Sequence, residues 1–252
     1  MNEGSFKILM IKTIKYLFQA ILIYFFILIG KIIGLSLSRK IFAFVFKKIG
    51  PLFRSNNIIK ENLNKFKKDI SNIEIKKIKN NMWSNYGMTF IEYIFLKQFR
   101  FQNSHINIEG EEILDKIYRN KKPVVFISGH FANFELMSME ITKKKINLAT
   151  IYRPLNNYFL NPFMEYLRKK YICKKQIKKG INGVKKIIKL VKSQHSIALM
   201  IDQRVSEGEK IEFFNHEALT TTLPAQIAFK YNLEIVPIFI ERNVKEKFNI
   251  KV

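Results

Sequence analysis

One cysteine, one tryptophan, four histidines and six prolines in 252 residues set the first limits on this chain. A single cysteine, Cys173, excludes an intramolecular disulfide and any zinc site built on several cysteines. It lies between Ile172 and Lys174 with no catalytic context and reads as an inert thiol. His105, His130, His195 and His216 are not spaced as a pair on one helix face, so a metal site has little support. Acidic residues are scarce as well: 20 Asp plus Glu stand against 44 Lys plus Arg, a net charge of +24. That excess suits a polyanionic partner such as an anionic membrane, a phosphorylated lipid, an acidic protein or nucleic acid. No helix-turn-helix, zinc or RNA-binding signature accompanies it, so nucleic acid is not the expected partner.

Arginine is the scarce basic residue, with eight in the chain. Lys, Ile, Asn and Phe are all abundant, as an AT-rich coding sequence would produce, and codon bias competes with function as the source of the lysines. Where that pressure favours Lys, a retained Arg hints at a planar two-pronged contact that Lys cannot make.

What is present falls into two regimes. From Phe6 to Phe46 the chain is apolar with scattered lysines, and from Tyr16 to Gly30 only Gln19 interrupts it. That approaches the ~20 residues needed to cross a bilayer. No small-residue cleavage site follows, which argues against a removed signal peptide. More positive charge follows the apolar core than precedes it, favouring a cytoplasmic remainder. A helix lying in the interface with snorkelling lysines and a buried core helix are the competing readings. Gly50-Pro51 marks a boundary, dividing a membrane-anchoring segment (1–50) from the rest (51–252). Residues 56–101 read as two helices. The second carries an apolar stripe, including Trp83, Phe90 and Tyr93, that should cover one face of a sheet.

From His105 onward short apolar runs alternate with helical stretches. Strands are expected at 105–108, 124–128, 147–152, 196–201 and 234–240, and helices at 111–119, 133–145, 157–171, 183–192 and 223–231. Such alternation predicts an α/β fold: a mixed, mostly parallel sheet flanked by helices, behind an N-terminal membrane-associated helix and a helical lead-in. The last residues, 248–252, read as the middle of a strand, so the natural fold is expected to continue further.

The stretch with most chemical content is 123–140, PVVFISGHFANFELMSME. A buried-strand pattern ends at Ser128-Gly129, and His130 follows at a strand-to-helix junction, where α/β folds place their chemistry. On one continuous helix, His130 and Glu135 would lie roughly 140° apart. With His130 in the turn and Glu135 in the first helical turn, the carboxylate can reach back, fix the imidazole tautomer and leave the other nitrogen as a general base. A lone His-x4-Glu is a weak signal, and a bystander His is its ordinary explanation. Arg153 follows one expected strand and Asp202 another, which delivers polar residues toward one edge. Each alone reads as a loop charge or a turn cap.

Taken in order, Gly129-His130-(four residues)-Glu135, Tyr152-Arg153-Pro154-Leu155-Asn156-Asn157, Asp202-Gln203, Phe213-Phe214 and Thr220-(three residues)-Pro224-Ala225 resemble the lipid A biosynthesis late acyltransferases. The resemblance covers most of the chain. The His-x4-acid element alone is shared with glycerophosphate acyltransferases. The resemblance as a whole implies acyl transfer from acyl carrier protein to a hydroxyl of a phosphorylated glucosamine lipid, with no cofactor, at the cytoplasmic face of a bacterial inner membrane. By the same resemblance His130 and Glu135 are the catalytic pair, and Arg153, Arg168, Asp202 and Asn133 are substrate-binding positions. A different lipid acceptor, such as lysophosphatidic acid or a glycolipid, is the nearest alternative. A His-dependent hydrolase would lack a nucleophile elbow. The family's helical tail with a Trp and basic residues has no counterpart here.

Overall fold

A computed structural model describes residues 3–52, 54–205 and 208–252. Helix α1 (Glu3–Ile33) is followed at Gly34 by α2 (Leu35–Ile49). Gly34 has φ +79°, a conformation open to glycine at little cost, so the two helices change direction there. Helices α3 (Asn56–Phe66) and α4 (Asn72–Glu92) come next, and α5 (Leu96–Phe101) closes the helical lead-in. The start of α4 is fixed locally, because the Ser71 hydroxyl accepts the Glu74 N–H in the S-x-x-E pattern of a capping box.

The α/β part is built on five parallel strands, ordered β4 (Lys175–Lys178), β3 (Leu148–Tyr152), β5 (Ser196–Met200), β2 (Val125–Ser128) and β8 (Ile235–Pro237). Alternate residues of β2 serve opposite faces, as the strand period of two requires. Phe126 joins a core with Leu114, Leu136 and Met139, whereas Val125 joins Ile187, Val191 and Ile227 on the other side. Helices α6 (Glu111–Asn120) and α7 (Glu135–Lys143) pack on the first face. Helices α9 (Ile181–Lys192) and α10 (Leu223–Tyr231) cover the second. This is the expected mixed α/β fold, with a parallel sheet between helices and a long apolar N-terminal helix.

Four elements depart from the expected layout. The strand expected at 234–240 is divided at Ile238: β8 pairs with β2, while β9 (Phe239–Arg242) pairs antiparallel with β10 (Phe248–Lys251), itself parallel to β1 (Ile106–Glu109). Strand β4 escapes the apolar-run criterion because it is an edge strand, KQIK, with only Ile177 buried. Strands β6 (Glu209–Phe213) and β7 (His216–Thr220) form a hairpin whose outer strand is exposed throughout. Its turn places Phe214 and Asn215 at positive φ. The helix expected at 157–171 is shorter, α8 (Asn161–Leu167), and passes into a π-helical turn at Arg168–Ile172.

Among the described residues one helix, Ser5–Ile33, is long and apolar enough to cross a membrane. Only 11% of its most apolar window is buried, unlike the mostly buried core helix of a soluble protein, and exposed apolar surface of that length suits membrane association.

Candidate active site

Strands β2 and β5 lie side by side with Ser128 opposite Met200, and the Ile201 N–H donates to the Ser128 carbonyl. The next residues of each strand are therefore neighbours at the carboxyl edge of the sheet. His130 follows β2 and Asp202 follows β5. The Asp202 Oδ1 lies 2.7 Å from His130 Nδ1, and the Asp202 Oδ2 accepts the His130 backbone N–H, also at 2.7 Å. Gly129 permits this approach: a Cβ there would stand 2.7 Å from the Phe131 ring and 3.1 Å from Asp202 Oδ2. The imidazole packs edge-on against Phe134, with ring centroids 4.8 Å apart. Both partners stay open to solvent, His130 with 33% and Asp202 with 36% of the side chain exposed.

The expectation that Glu135 holds the imidazole is not met in this geometry; the carboxylate on Nδ1 is that of Asp202. Glu135 is buried at the start of α7. Its Oε1 accepts from the Tyr93 hydroxyl at 2.6 Å and from Arg168 Nε at 2.7 Å and Nη2 at 2.6 Å. Arg168 also donates to the Tyr93 oxygen at 3.1 Å and lies over the Tyr93 and Tyr152 rings. Burial, followed by the neighbouring Glu135 charge, pushes the Tyr93 phenol well above its ordinary range, so it donates and does not ionise. Burial opposes the Arg168 charge, but Glu135 and Tyr93 outweigh it and raise its pKa. This ion pair holds α7, which follows the His130 loop, to the π-turn at Arg168–Ile172.

Asn133 was expected to bind substrate. It is fully buried, and its amide donates to Glu92 Oε2 at 2.8 Å, so it faces the interior. The same Glu92, wholly buried, accepts Arg39 Nε at 2.7 Å and a two-pronged contact from Arg242, Nη1 to Oε1 at 2.5 Å and Nη2 to Oε2 at 3.1 Å. Ala132, at φ +41°, offers its carbonyl to Asn85 and Thr89 of α4, both at 3.3 Å. The turn carrying His130 is thus tied into α4 at adjacent residues. These contacts sustain a left-handed backbone that costs a non-glycine residue about 1–2 kcal/mol.

Arg153 follows β3 at the same sheet edge. It is exposed and has no ion-pair partner among the described residues. Arg168, by contrast, has two of its three nitrogens occupied. Cys173 is buried, and burial pushes its thiol up to about 11, which leaves it unreactive.

Sequence reading missed the Asp202–His130 contact, placed Tyr93 only in an apolar stripe, and gave Glu92 and Arg242 no role of their own. Two signals could have found them. His130 and Asp202 each stand two residues beyond a strand end. The scarcity of arginine hints at two-pronged contacts, and Arg242 makes one.

An α/β domain that presents a one-third-exposed imidazole–carboxylate pair at the carboxyl edge of a parallel sheet has the arrangement of an acid–base site. The family of bacterial lipid A biosynthesis acyltransferases matches residues 5–252, nearly the whole chain. This protein belongs to that family and is an acyltransferase of lipid A biosynthesis. None of the curated proteins compared matches it.

Proposed function

We propose that the protein transfers a fatty acyl chain from acyl carrier protein to a hydroxyl of a phosphorylated glucosamine lipid, with His130 as general base. The observation that carries this reading is the 2.7 Å contact between Asp202 and His130 Nδ1. A carboxylate on Nδ1 favours the tautomer with its proton there and leaves Nε2 to accept one. An alcohol is a poor nucleophile at neutral pH. As its oxygen attacks the thioester carbonyl, its proton passes to Nε2. Asp202 stabilises the resulting imidazolium, and collapse of the tetrahedral intermediate expels the carrier thiolate, which takes up the proton. The chemistry of this step calls on no cofactor.

Glu135 acts in this scheme through Arg168 and Tyr93, fixing the helix behind the loop instead of touching the imidazole. Arg153 is the exposed guanidinium suited to a phosphate of the acceptor. The net charge of +24 favours both an acidic carrier protein and an anionic inner membrane, approached from the cytoplasmic side.

The test is transfer of labelled acyl chain from acyl carrier protein to a lipid A precursor by the purified full chain in detergent. His130→Ala is expected to remove nearly all transfer at unchanged stability. Retained activity, or transfer only to lysophosphatidic acid, would overturn the assignment.

A further inference from the structure

Along α1 the buried and half-buried positions include Thr13, Tyr16, Ala20, Ile23, Ile27 and Gly30, which recur every three or four residues. This is the seam of a helix docked lengthwise on a partner. The partner is the body of the same chain. The Tyr158 hydroxyl donates to Thr13 Oγ1 at 2.8 Å, and Asn157 Nδ2 donates to the Tyr16 carbonyl at 2.8 Å. Tyr24 donates to the Phe159 carbonyl at 3.0 Å and packs edge-on against Phe163. Gly30 lies so close to α4 and the turn after it that an added Cβ would stand 2.7 Å from Ile91 and 3.2 Å from Ile94. From Thr13 to Gly30 the seam covers ~26 Å at 1.5 Å per residue. The hydrocarbon core of a bilayer is ~30 Å thick.

A helix crossing that core would carry the docked body in with it. The segment holding Asn157 to Phe163 follows the exposed Arg153 and leads to the exposed Lys169 and Lys170. Lys169 has Glu165 at 3.5 Å, but Arg153 and Lys170 have no carboxylate partner among the described residues, and such charges do not enter hydrocarbon unpaired. The face of α1 opposite the seam carries Ile14, Phe18, Ile21, Phe25, Leu28 and Ile32, all more than half exposed. Helix α2 continues it, with Leu37, Ile41 and Phe44 exposed beside Lys40, Lys47 and Lys48. An apolar face edged with lysines suits a helix lying in an anionic headgroup layer.

We infer that α1 and α2 do not thread the membrane but lie in one leaflet, docked on the α/β body, with their outer apolar faces in the acyl layer and their lysines at anionic headgroups. The segment after Arg153 then rests against the membrane-facing helix, which brings that sheet edge to the lipid surface. This seating rests on the membrane part of the proposed function and not on the acyl transfer itself.

The experiment places single cysteines at the two ends, Ser5→Cys and Ser36→Cys, in the full chain expressed in bacteria. Cys173 is buried and supplies a low background. A membrane-impermeant maleimide is applied to inverted vesicles and to spheroplasts, with detergent as the control. Both sites are expected to react in inverted vesicles and neither in spheroplasts. Reaction of the two ends from opposite sides, or of either end only after detergent, overturns the inference. Reaction of both from the spheroplast side would keep the in-plane seating and remove the cytoplasmic reading. In a second arm, the chain with Lys40, Lys47 and Lys48 changed to Gln is expected to bind phosphatidylglycerol vesicles at least about tenfold more weakly, with little change on phosphatidylcholine. Equal binding to both would overturn the headgroup contact. Acyl transfer measured on the same membranes tests the enzyme reading separately.

Discussion

Two carboxylates that contact the same turn, one at His130 and one at Asn133, have opposite lives. Glu92 is wholly buried and fully engaged by two guanidiniums and an amide; Asp202 is one-third exposed and holds one imidazole. A buried charge is tolerated only when every lone pair is met, and such a knot specifies structure. An open carboxylate beside a group that can gain and lose a proton costs little to place and is free to take part in chemistry. Glu135 stands between them, buried like Glu92 yet directly behind the His130 loop. The lesson is that burial and partner type, more than nearness to His130 in sequence, separate the acids that hold structure from the one open to solvent and to chemistry.

Substitutions can break that comparison. The largest expected effect is on rate. Asp202→Asn keeps the shape but loses control of the tautomer, and acyl transfer should fall roughly 10⁴-fold, the scale known for triad-type orienters. Its unfolding free energy in urea should stay within about 0.5 kcal/mol of the parent, as for exposed sites. A rate within tenfold of the parent would return the orienting role to Glu135. Next comes Glu92→Ala, which leaves Arg39 and Arg242 buried without their anion and should cost about 3–5 kcal/mol by equilibrium unfolding. An unchanged midpoint would show that the knot is dispensable.

Arg168→Lys sharpens the middle case. A lysine cannot supply both the Nε and Nη2 contacts to Glu135, and about 1–3 kcal/mol of stability should go, the cost of a buried acceptor left underserved. Activity should fall with it, and a conserved unfolding midpoint with lost activity would instead make Arg168 a substrate contact. The smallest effect concerns His105, whose pKa is lowered to about 4 by burial and then by Lys143 and Arg39. The unfolded chain, with an ordinary value near 6.5, binds that proton first as the pH falls. Stability should therefore drop between about pH 6.5 and 4, with no contribution from this group above that window. His105→Gln should flatten that part of the stability profile, measured by urea midpoints at pH 7 and 5.

Much of the frame was legible before any coordinates. Val124 to Ile127 and Ser196 to Met200 are apolar and β-branched enough to announce central strands, and Pro224 opens α10 where it was expected. The apolar length of α1 was equally plain. The edge strand β4 was not, since one buried side chain among lysines gives no run to detect. Nor was the site's true pairing: Glu135 is five residues from His130 and Asp202 is 72. The reach of Glu135 was judged from local turn geometry, whereas its actual partners, Tyr93 and Arg168, come from α4's end and the π-turn.

Local sequence therefore determined which segments are strands and helices, that a histidine stands at a strand-to-helix turn, and that one helix is apolar all round. Those properties depend on side chains close together in the chain. Only tertiary structure decided that β5 inserts beside β2, which brings Asp202 to His130. It also decided that Glu92 closes on two distant arginines, and that α1 lies along the body instead of standing free. Each of these is a contact between residues far apart in sequence, fixed by which faces must be buried together, and no periodicity along the chain encodes it.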